Sequence, residues 1–254
     1  GSGNKNHGSY IYSFGAGNTA GETAPSHNSN FIFSVGTDLK VLGDYSFAFG
    51  LNSAGKTTVS SSAPYSFVFG SNNQACCQHS IIFGDNCTAG IQPTDDNPHP
   101  TEPIYSVAIG VGQIVEGYNS LAFGVGSHIY SSAYYSYALG GAGGHAVYSP
   151  YSLALGCGCT VGIEPTTDNP SPKQNSHCYA IGSGSKTSGN LSFSFGGGCI
   201  TTGNYSLTFG TGSSNSGNWS VAIGSGTNVE ADYSFAFGNE GVHIYSGASN
   251  SIAL

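Results

Sequence analysis

The stretch Tyr45-Ser46-Phe47-Ala48-Phe49-Gly50 decides the fold of this chain, because variants of it recur along nearly the whole sequence. Large apolar and small residues alternate within it, and strict alternation over a few residues is typical of a short β-strand. The glycines that close these motifs recur most often at intervals of 14 residues, and longer intervals indicate insertions. A unit this short cannot hold a helix pair. It predicts an all-β, parallel β-solenoid in which each coil stacks on the last.

A second, weaker alternation follows each motif and completes the coil. Ser185 and Thr187 are an example, and the turn Gly189-Asn190 comes after them. Gly and Asn both tolerate the backbone angles that tight turns require. We therefore predict two short strands and two corners per coil, about 14–15 coils, and one repeat domain over residues 1–254. The last motif, Asn250–Leu254, stops before its glycine, so we expect the sequence to be part of a longer protein.

The alternation also predicts which side chains form the core. We assign to it the large apolar residues of the motifs, and the small residues opposite, such as Ala48, Ala108 and Ala222, to a surface that another chain approaches closely. The predicted core residues are Phe47, Phe49, Phe67, Phe69, Val107, Ile109, Leu121, Phe123, Val221 and Ile223.

The charge balance excludes several partners. The net charge is −8, and the chain has only five Lys and Arg residues. Nucleic acids and anionic membrane surfaces both need a basic face, so we expect neither as a partner. No apolar run approaches the roughly 20 residues that span a bilayer, and we expect no membrane contact by this stretch of chain.

Residue patterns that carry chemistry are missing. The glycine strings neither follow a long strand nor open a helix, and the eight His residues have no metal-ligand spacing. We therefore predict a protein that is not an enzyme, without catalytic residues, cofactor or metal. The seven cysteines lack the paired spacing of zinc sites. Cys87, Cys159 and Cys199 all follow a motif glycine by three residues, so they either fill a small buried slot or form disulfides within or between chains.

Three motifs point to a known family. Asn119–Gly124, Trp219–Gly224 and Asn250–Leu254 resemble the Asn-Ser-Val-Ala-Ile-Gly repeat of the YadA-like heads of trimeric autotransporter adhesins. The resemblance covers almost the whole chain and includes the period and the Gly-Asn corner. It implies a left-handed parallel β-roll that forms a homotrimer on a bacterial surface. The many Phe and Tyr residues, the cysteines and the insertions depart from the family pattern.

Two insertions, at about residues 91–103 and 163–175, match each other in sequence. Both are rich in Pro and polar residues, so we expect them to bulge from the solenoid. They either contact a ligand or neighbouring subunit, or are tolerated surface loops. The residues that we assign to possible contacts are Pro93, Asp95, Asp96, Pro165 and Asp168.

A Tyr residue precedes many of the motif strands, as Tyr45, Tyr65 and Tyr205 do. Stacked coils would place these rings in a ladder, which is either a structural seam or an adhesive aromatic surface.

These features together predict an adhesive head of an extracellular, surface-exposed homotrimer. Such a head would bind extracellular matrix or cell-surface ligands through many weak contacts. The alternative is a structural subunit of a virion or phage fibre, or of an extracellular filament, which would place the chain on a virion surface or in an appendage.

Overall fold

A computed structural model describes residues 1–21, 29–51, 57–60, 63–91, 105–169, 172–239 and 241–254. Within these ranges the chain forms thirty strands and no helix, so no helical segment there is long and apolar enough to span a membrane. Strands of two sets alternate along the chain, one set carrying the repeated motif and the other lying between the motifs, and each set has fifteen members. The predicted all-β parallel solenoid is confirmed, and its coil number agrees with the repeat count. The left-handed sense and the trimer stay predictions.

The described chain divides into two compact units, residues Gly1–Ser131 and Ser132–Leu254. The single repeat domain over residues 1–254 stays a prediction. The strands of the first unit are β1 (Lys5–Asn6), β2 (Gly8–Ala16), β3 (Thr19–Ala20), β4 (Ser29–Thr37), β5 (Lys40–Val41), β6 (Phe47–Gly50), β7 (Thr58–Val59), β8 (Phe67–Ser71), β9 (Gln74–Ala75), β10 (Ile81–Asp85), β11 (Thr88–Ala89), β12 (Val107–Val111), β13 (Ile114–Val115), β14 (Leu121–Val125) and β15 (His128–Ile129).

The second unit continues the same pattern of longer and shorter strands. Its strands are β16 (Tyr137–Gly140), β17 (Ala146–Val147), β18 (Leu153–Cys157), β19 (Thr160–Val161), β20 (Cys178–Ser183), β21 (Lys186–Thr187), β22 (Ser192–Gly197), β23 (Ile200–Thr201), β24 (Leu207–Thr211), β25 (Ser214–Asn215), β26 (Val221–Ser225), β27 (Asn228–Val229), β28 (Phe235–Gly238), β29 (His243–Ile244) and β30 (Ile252–Ala253).

Each unit contains two parallel sheets. The even-numbered strands carry the motif and form the motif sheet, and the two-residue, odd-numbered strands form the companion sheet. Equivalent motif residues lie side by side: Val107 pairs with Leu121 in the first unit, and Phe195 pairs with Phe209 in the second. Because the register repeats without slipping, each position of the motif becomes a column that runs from coil to coil.

The predicted core is wrong, because the motif sheet turns its small residues inward. Ala48, Ala108 and Ala222 are fully buried, and the companion sheet fills the space opposite with branched residues such as Val115 and Val229. None of the ten large residues assigned to the core is buried within this chain. Phe123 is exposed. The other nine are half-buried: Phe47, Phe49, Phe67, Phe69, Val107, Ile109, Leu121, Val221 and Ile223.

The reason for the reversal is the thinness of the coil. The space between the two sheets of one coil is filled largely by Ala, Val and Ile side chains. A close-packed interior built from residues of this size leaves no room for a column of Phe rings. The small-residue column is therefore the inside of the coil, and it does not meet a partner chain. The large column points outward, away from the companion sheet.

A buried Ser column holds successive coils together. The backbone amide of Ser206 donates to Ser192 Oγ at 3.2 Å, and Ser206 Oγ donates to the carbonyl of Gly217 in the next coil at 2.7 Å. The amide of Ser220 repeats the contact on Ser206 Oγ at 3.3 Å. Each hydroxyl thus satisfies two backbone groups that would otherwise be buried without partners. The second position of the motif is Ser for this reason.

The motif glycines are required by close stacking. Gly196 has φ of +122°, and a Cβ built on it would overlap the carbonyl oxygen of Gly210 in the next coil. Only glycine combines this backbone conformation with the absence of a side chain. The Gly-Asn corners stack as well: the amide of Asn190 donates to Asn204 Oδ1 at 2.9 Å, and the amide of Asn204 to Asn218 Oδ1 at 3.0 Å.

Candidate functional site

The outer face of the motif sheet is a broad apolar surface in both units. In the first unit its rings stack on one another, with centroids 4.7 Å apart for Phe49 and Phe69 and 5.1 Å apart for Phe69 and Phe83. In the second unit Phe209 keeps 52% of its surface exposed, and Phe237 keeps 53%. Monomeric soluble proteins seldom leave contiguous apolar patches larger than a few hundred Å² exposed, so this face is the leading candidate for an interface.

A ladder of aromatic rings lines the corner before each motif strand. In the first unit six rings stack in sequence with centroid distances between 4.6 and 5.2 Å. Its members are Tyr10, Phe31, Tyr45, Tyr65, His79 and Tyr105. The second unit contains the shorter stacks Tyr135–Tyr151–His177 and Tyr205–Trp219. The predicted Tyr ladder is confirmed, and its adhesive role stays a prediction.

The corner ladder is built on an unfavourable backbone conformation. Tyr45 has φ of +52° and Trp219 has φ of +54°, a region that Gly and Asn enter more easily than aromatic residues. Asn119 and Asn250 occupy the same position in other coils. Ring stacking, worth about 0.5–1.5 kcal/mol per pair beyond burial, offsets this strain. The rings cover one another's faces, so the ladder presents mainly ring edges and hydroxyl groups to solvent.

A groove of about 410 Å³ lies between the corner ladder and the motif sheet of the second unit. Tyr135, Tyr151 and His177 form one wall, and Tyr137 and Tyr179 form the other. It continues the aromatic character of the motif-sheet face, and it belongs to the same candidate interface.

The outer face of the companion sheet differs in chemistry. Lys186, Ser214, Asn228 and His243 point outward there, each half-buried or exposed. Thr160 and Lys186 also line a shallow depression of about 230 Å³ beside the second insertion. This face is more polar than the outer face of the motif sheet, although Ile114 and Ile200 also point outward on it.

The second insertion is tied to the solenoid by Gln174. Its side-chain amide donates to the carbonyl of Ile163 at 2.7 Å and accepts from the amide of Ile163 at 2.8 Å. Pro165 and Asp168, which the sequence assigns to possible contacts, lie beyond the residues that Gln174 holds and are exposed. Their role in a contact stays a prediction. The other assigned contact residues, Pro93, Asp95 and Asp96, lie outside the described residues. In the part of the chain that the structure describes, no three His, Cys, Asp or Glu side chains converge as a metal site.

All seven cysteines are free thiols in this chain, and six of them are buried. Cys87, Cys159 and Cys199 are fully buried, and their thiols donate to motif-glycine carbonyls at 3.1–3.3 Å. Burial raises the pKa of all three. The small-slot prediction is therefore confirmed for these residues.

Two further cysteines differ from that column. Cys178 takes the place of the motif Ser, and burial raises the pKa of its thiol to about 11. Cys157 is the exposed member of the set. A raised pKa keeps a thiol protonated and makes it a poor nucleophile, so we interpret Cys87, Cys159, Cys178 and Cys199 as structural.

No model of a known protein family matches this chain, and no curated protein matches it significantly. The resemblance to YadA-like heads therefore rests on the motif, the period and the corner, and stays a prediction.

Proposed function

We propose that this chain is the non-enzymatic, adhesive head segment of an extracellular, surface-exposed homotrimer. The observation that carries the proposal is the exposed apolar face of the motif sheet, which recurs in both units. Burying apolar surface stabilises an assembly by about 25 cal/mol per Å², so a face that repeats in every coil gives a large driving force.

The outer face of the motif sheet is more apolar than that of the companion sheet, and this difference supports self-association through the motif sheet. Phe193, Phe195 and Phe209 are exposed on the motif sheet, whereas the companion sheet of these and the adjacent coil turns outward Lys186, Ile200 and Ser214, of which one is apolar. Identical chains would bury equivalent surfaces, and closed point-group symmetry is the common outcome for such contacts. That the assembly contains three chains is what the resemblance to YadA-like heads implies.

Adhesion is assigned to what remains outside such an assembly. The companion sheet and the anchored insertion around Pro165 and Asp168 are polar and carry few charges. Three copies would present each weak contact three times, and multivalency converts weak contacts into lasting attachment.

The experiment compares beads coated with three proteins: the unaltered chain, Phe209→Glu and Ile200→Glu. Both variants place a carboxylate at an exposed apolar position, Phe209 on the motif sheet and Ile200 on the companion sheet. Beads are allowed to settle on cultured cells and on matrix proteins, and the fraction that resists shear is counted. We expect the unaltered chain to hold, and Phe209→Glu to lose most attachment because the assembly dissociates.

Retention of attachment by Phe209→Glu would contradict the assembled head. If the unaltered chain assembles but attaches to none of the surfaces, the fibre or filament subunit becomes the better function. Ile200→Glu reports whether the companion face itself touches the ligand.

A further inference from the structure

One coil of the second unit interrupts a column of side chains on the motif sheet. The column is formed by the third residue of each motif, the position of Phe47. Rings of successive coils can stack in this column, as Tyr179 and Phe193 do with centroids 4.7 Å apart. Leu153 lies in register between Tyr137 and Tyr179 and has no ring. It is the only aliphatic residue of the column that has an aromatic residue on both sides.

The missing ring leaves a slot with Leu153 as its floor and with Tyr137 and Tyr179 on either side. Both Tyr side chains keep part of their surface exposed. They are two coil steps apart, which is about 9.6 Å at the usual spacing of about 4.8 Å between neighbouring strands. A flat ring at the level of Leu153 therefore lies one coil step from each Tyr, within the roughly 4.5–7 Å at which aromatic rings pair. The slot has the width of one inserted ring.

The corner ladder forms the back wall of the slot. Tyr135, Tyr151 and His177 stack there without interruption, with centroids 5.3 and 5.1 Å apart. The slot and its back wall together border the groove of about 410 Å³, which falls in the range of roughly 300–1,000 Å³ that is usual for small-molecule sites. Among the residues that the structure describes, no Asp, Glu or Lys lines this groove. Such a site favours an uncharged ligand.

We propose that the slot binds a small, uncharged, planar aromatic compound with a polar substituent, such as a phenol. The ring of the ligand stacks between Tyr137 and Tyr179 and completes the interrupted column. Its substituent reaches the hydroxyl groups and the imidazole of the back wall, which donate and accept hydrogen bonds. Small-molecule sites commonly combine apolar or aromatic walls with a few polar groups in this way.

The two Tyr residues beside the slot support a ligand with a polar group. Most coils have Phe, Leu, Val or Ile at this position, whereas Tyr137 and Tyr179 add a hydroxyl. A covered Tyr hydroxyl needs a hydrogen-bond partner, which a purely apolar occupant cannot supply. The slot lies where the motif sheet meets the corner, at the edge of the apolar face, and the rim of an interface stays accessible to solvent. The proposal therefore does not rest on trimer formation or adhesion.

The test is calorimetric titration of the full chain with phenol, in four forms: unaltered, Leu153→Phe, Tyr179→Leu and Leu207→Phe. We expect one phenol per unaltered chain. Leu153→Phe should bind at least about tenfold more weakly because its own ring fills the slot, and Tyr179→Leu should do so because one stacking wall is lost. Leu207→Phe is the matched control. It adds the same ring to the same column, between Phe193 and Val221 and outside the groove, and should leave binding unchanged.

Cyclohexanol provides a second control, because it has the size and the hydroxyl group of phenol but no flat ring. We expect it to bind at least about tenfold more weakly than phenol. Circular dichroism confirms that each variant is folded. If the unaltered chain binds no phenol, if Leu153→Phe binds it equally well, or if both compounds bind alike, the proposal is wrong. Absence of phenol binding together with a lower assembly mass for Leu153→Phe would show that the slot holds a side chain of a second copy instead.

Discussion

The two sheets of each coil share one interior but have opposite exteriors. The motif sheet buries Ala222 and leaves Phe209 exposed, whereas the companion sheet buries Val229 and turns Asn228 outward. Both follow a strict inside-outside alternation. The difference teaches that, in a coil this thin, residue size decides which side of the motif sheet faces inward. Polarity then distinguishes the apolar outer face of the motif sheet from the more polar outer face of the companion sheet.

The largest effect is expected at the motif glycines, on which the close stacking of the motif sheet depends. Gly196→Ala places a Cβ against the Gly210 carbonyl at φ of +122°. We expect a loss of at least about 3 kcal/mol in the free energy of unfolding. The adjacent Gly197→Ala is the control, because the nearest atom to its Cβ is the Thr211 methyl at 3.8 Å. Thermal unfolding compares the stability of the two variants. Equal unfolding midpoints for Gly196→Ala and Gly197→Ala would contradict the requirement for glycine at position 196.

A smaller effect tests which column is the core. Ala222 packs inside the coil against Val229 and Ile244. Ala222→Leu should cost about 1–3 kcal/mol because it overfills that space. The neighbouring Val221→Leu points outward and should change stability by less than about 0.5 kcal/mol. Urea unfolding measures the free energy of unfolding of both variants. A greater loss for Val221→Leu than for Ala222→Leu would indicate that the large residues form the core, as the alternation first predicted.

The smallest effect concerns the interior that the sheets share. His145 is buried there; its Nδ1 accepts from the amide of Cys159 at 3.1 Å, and burial lowers its pKa below the ordinary 6.5. The folded chain holds this ring neutral, while the unfolded chain takes up a proton as pH falls through 6.5. Stability should therefore fall between pH 7.5 and pH 5.

His145→Ser separates this contribution from other acid effects, because Ser185 and Ser213 are its counterparts in other coils. The variant should lose less of its unfolding midpoint over the same pH range, as measured by thermal scans at several pH values. An identical pH dependence for both chains would show that His145 does not contribute.

Much of the fold could be predicted from repetition within the chain. The 14-residue spacing and the alternation in Phe47-Ala48-Phe49 predict coils, strands and parallel stacking, because each follows from local geometry. The inside and outside of the motif strand could not be assigned by hydrophobicity, since the larger residues are normally the buried ones. The recurring Ser46 position was the missed signal: a buried hydroxyl repeated in most coils marks the inner side.

The candidate sites depend on contacts between coils, and this limits what sequence alone can predict. The ladder of Tyr45 and Tyr65 is predictable because both rings share one position of the repeat. The slot between Tyr137 and Tyr179 follows no short motif, since an insertion separates them along the chain and only the register places them on either side of Leu153. The clasp formed by Gln174 on Ile163 is likewise a consequence of where the insertion begins and ends.

Sedimentation equilibrium of the intact chain tests the central claim, that the exposed face of the motif sheet is an interface between copies of this protein. The account predicts a species of about 77 kDa, three times the chain mass of 25.8 kDa, with Phe209→Glu shifted towards the monomer and Ile200→Glu unchanged. A stable 25.8 kDa monomer for the unaltered chain at micromolar concentration would contradict it.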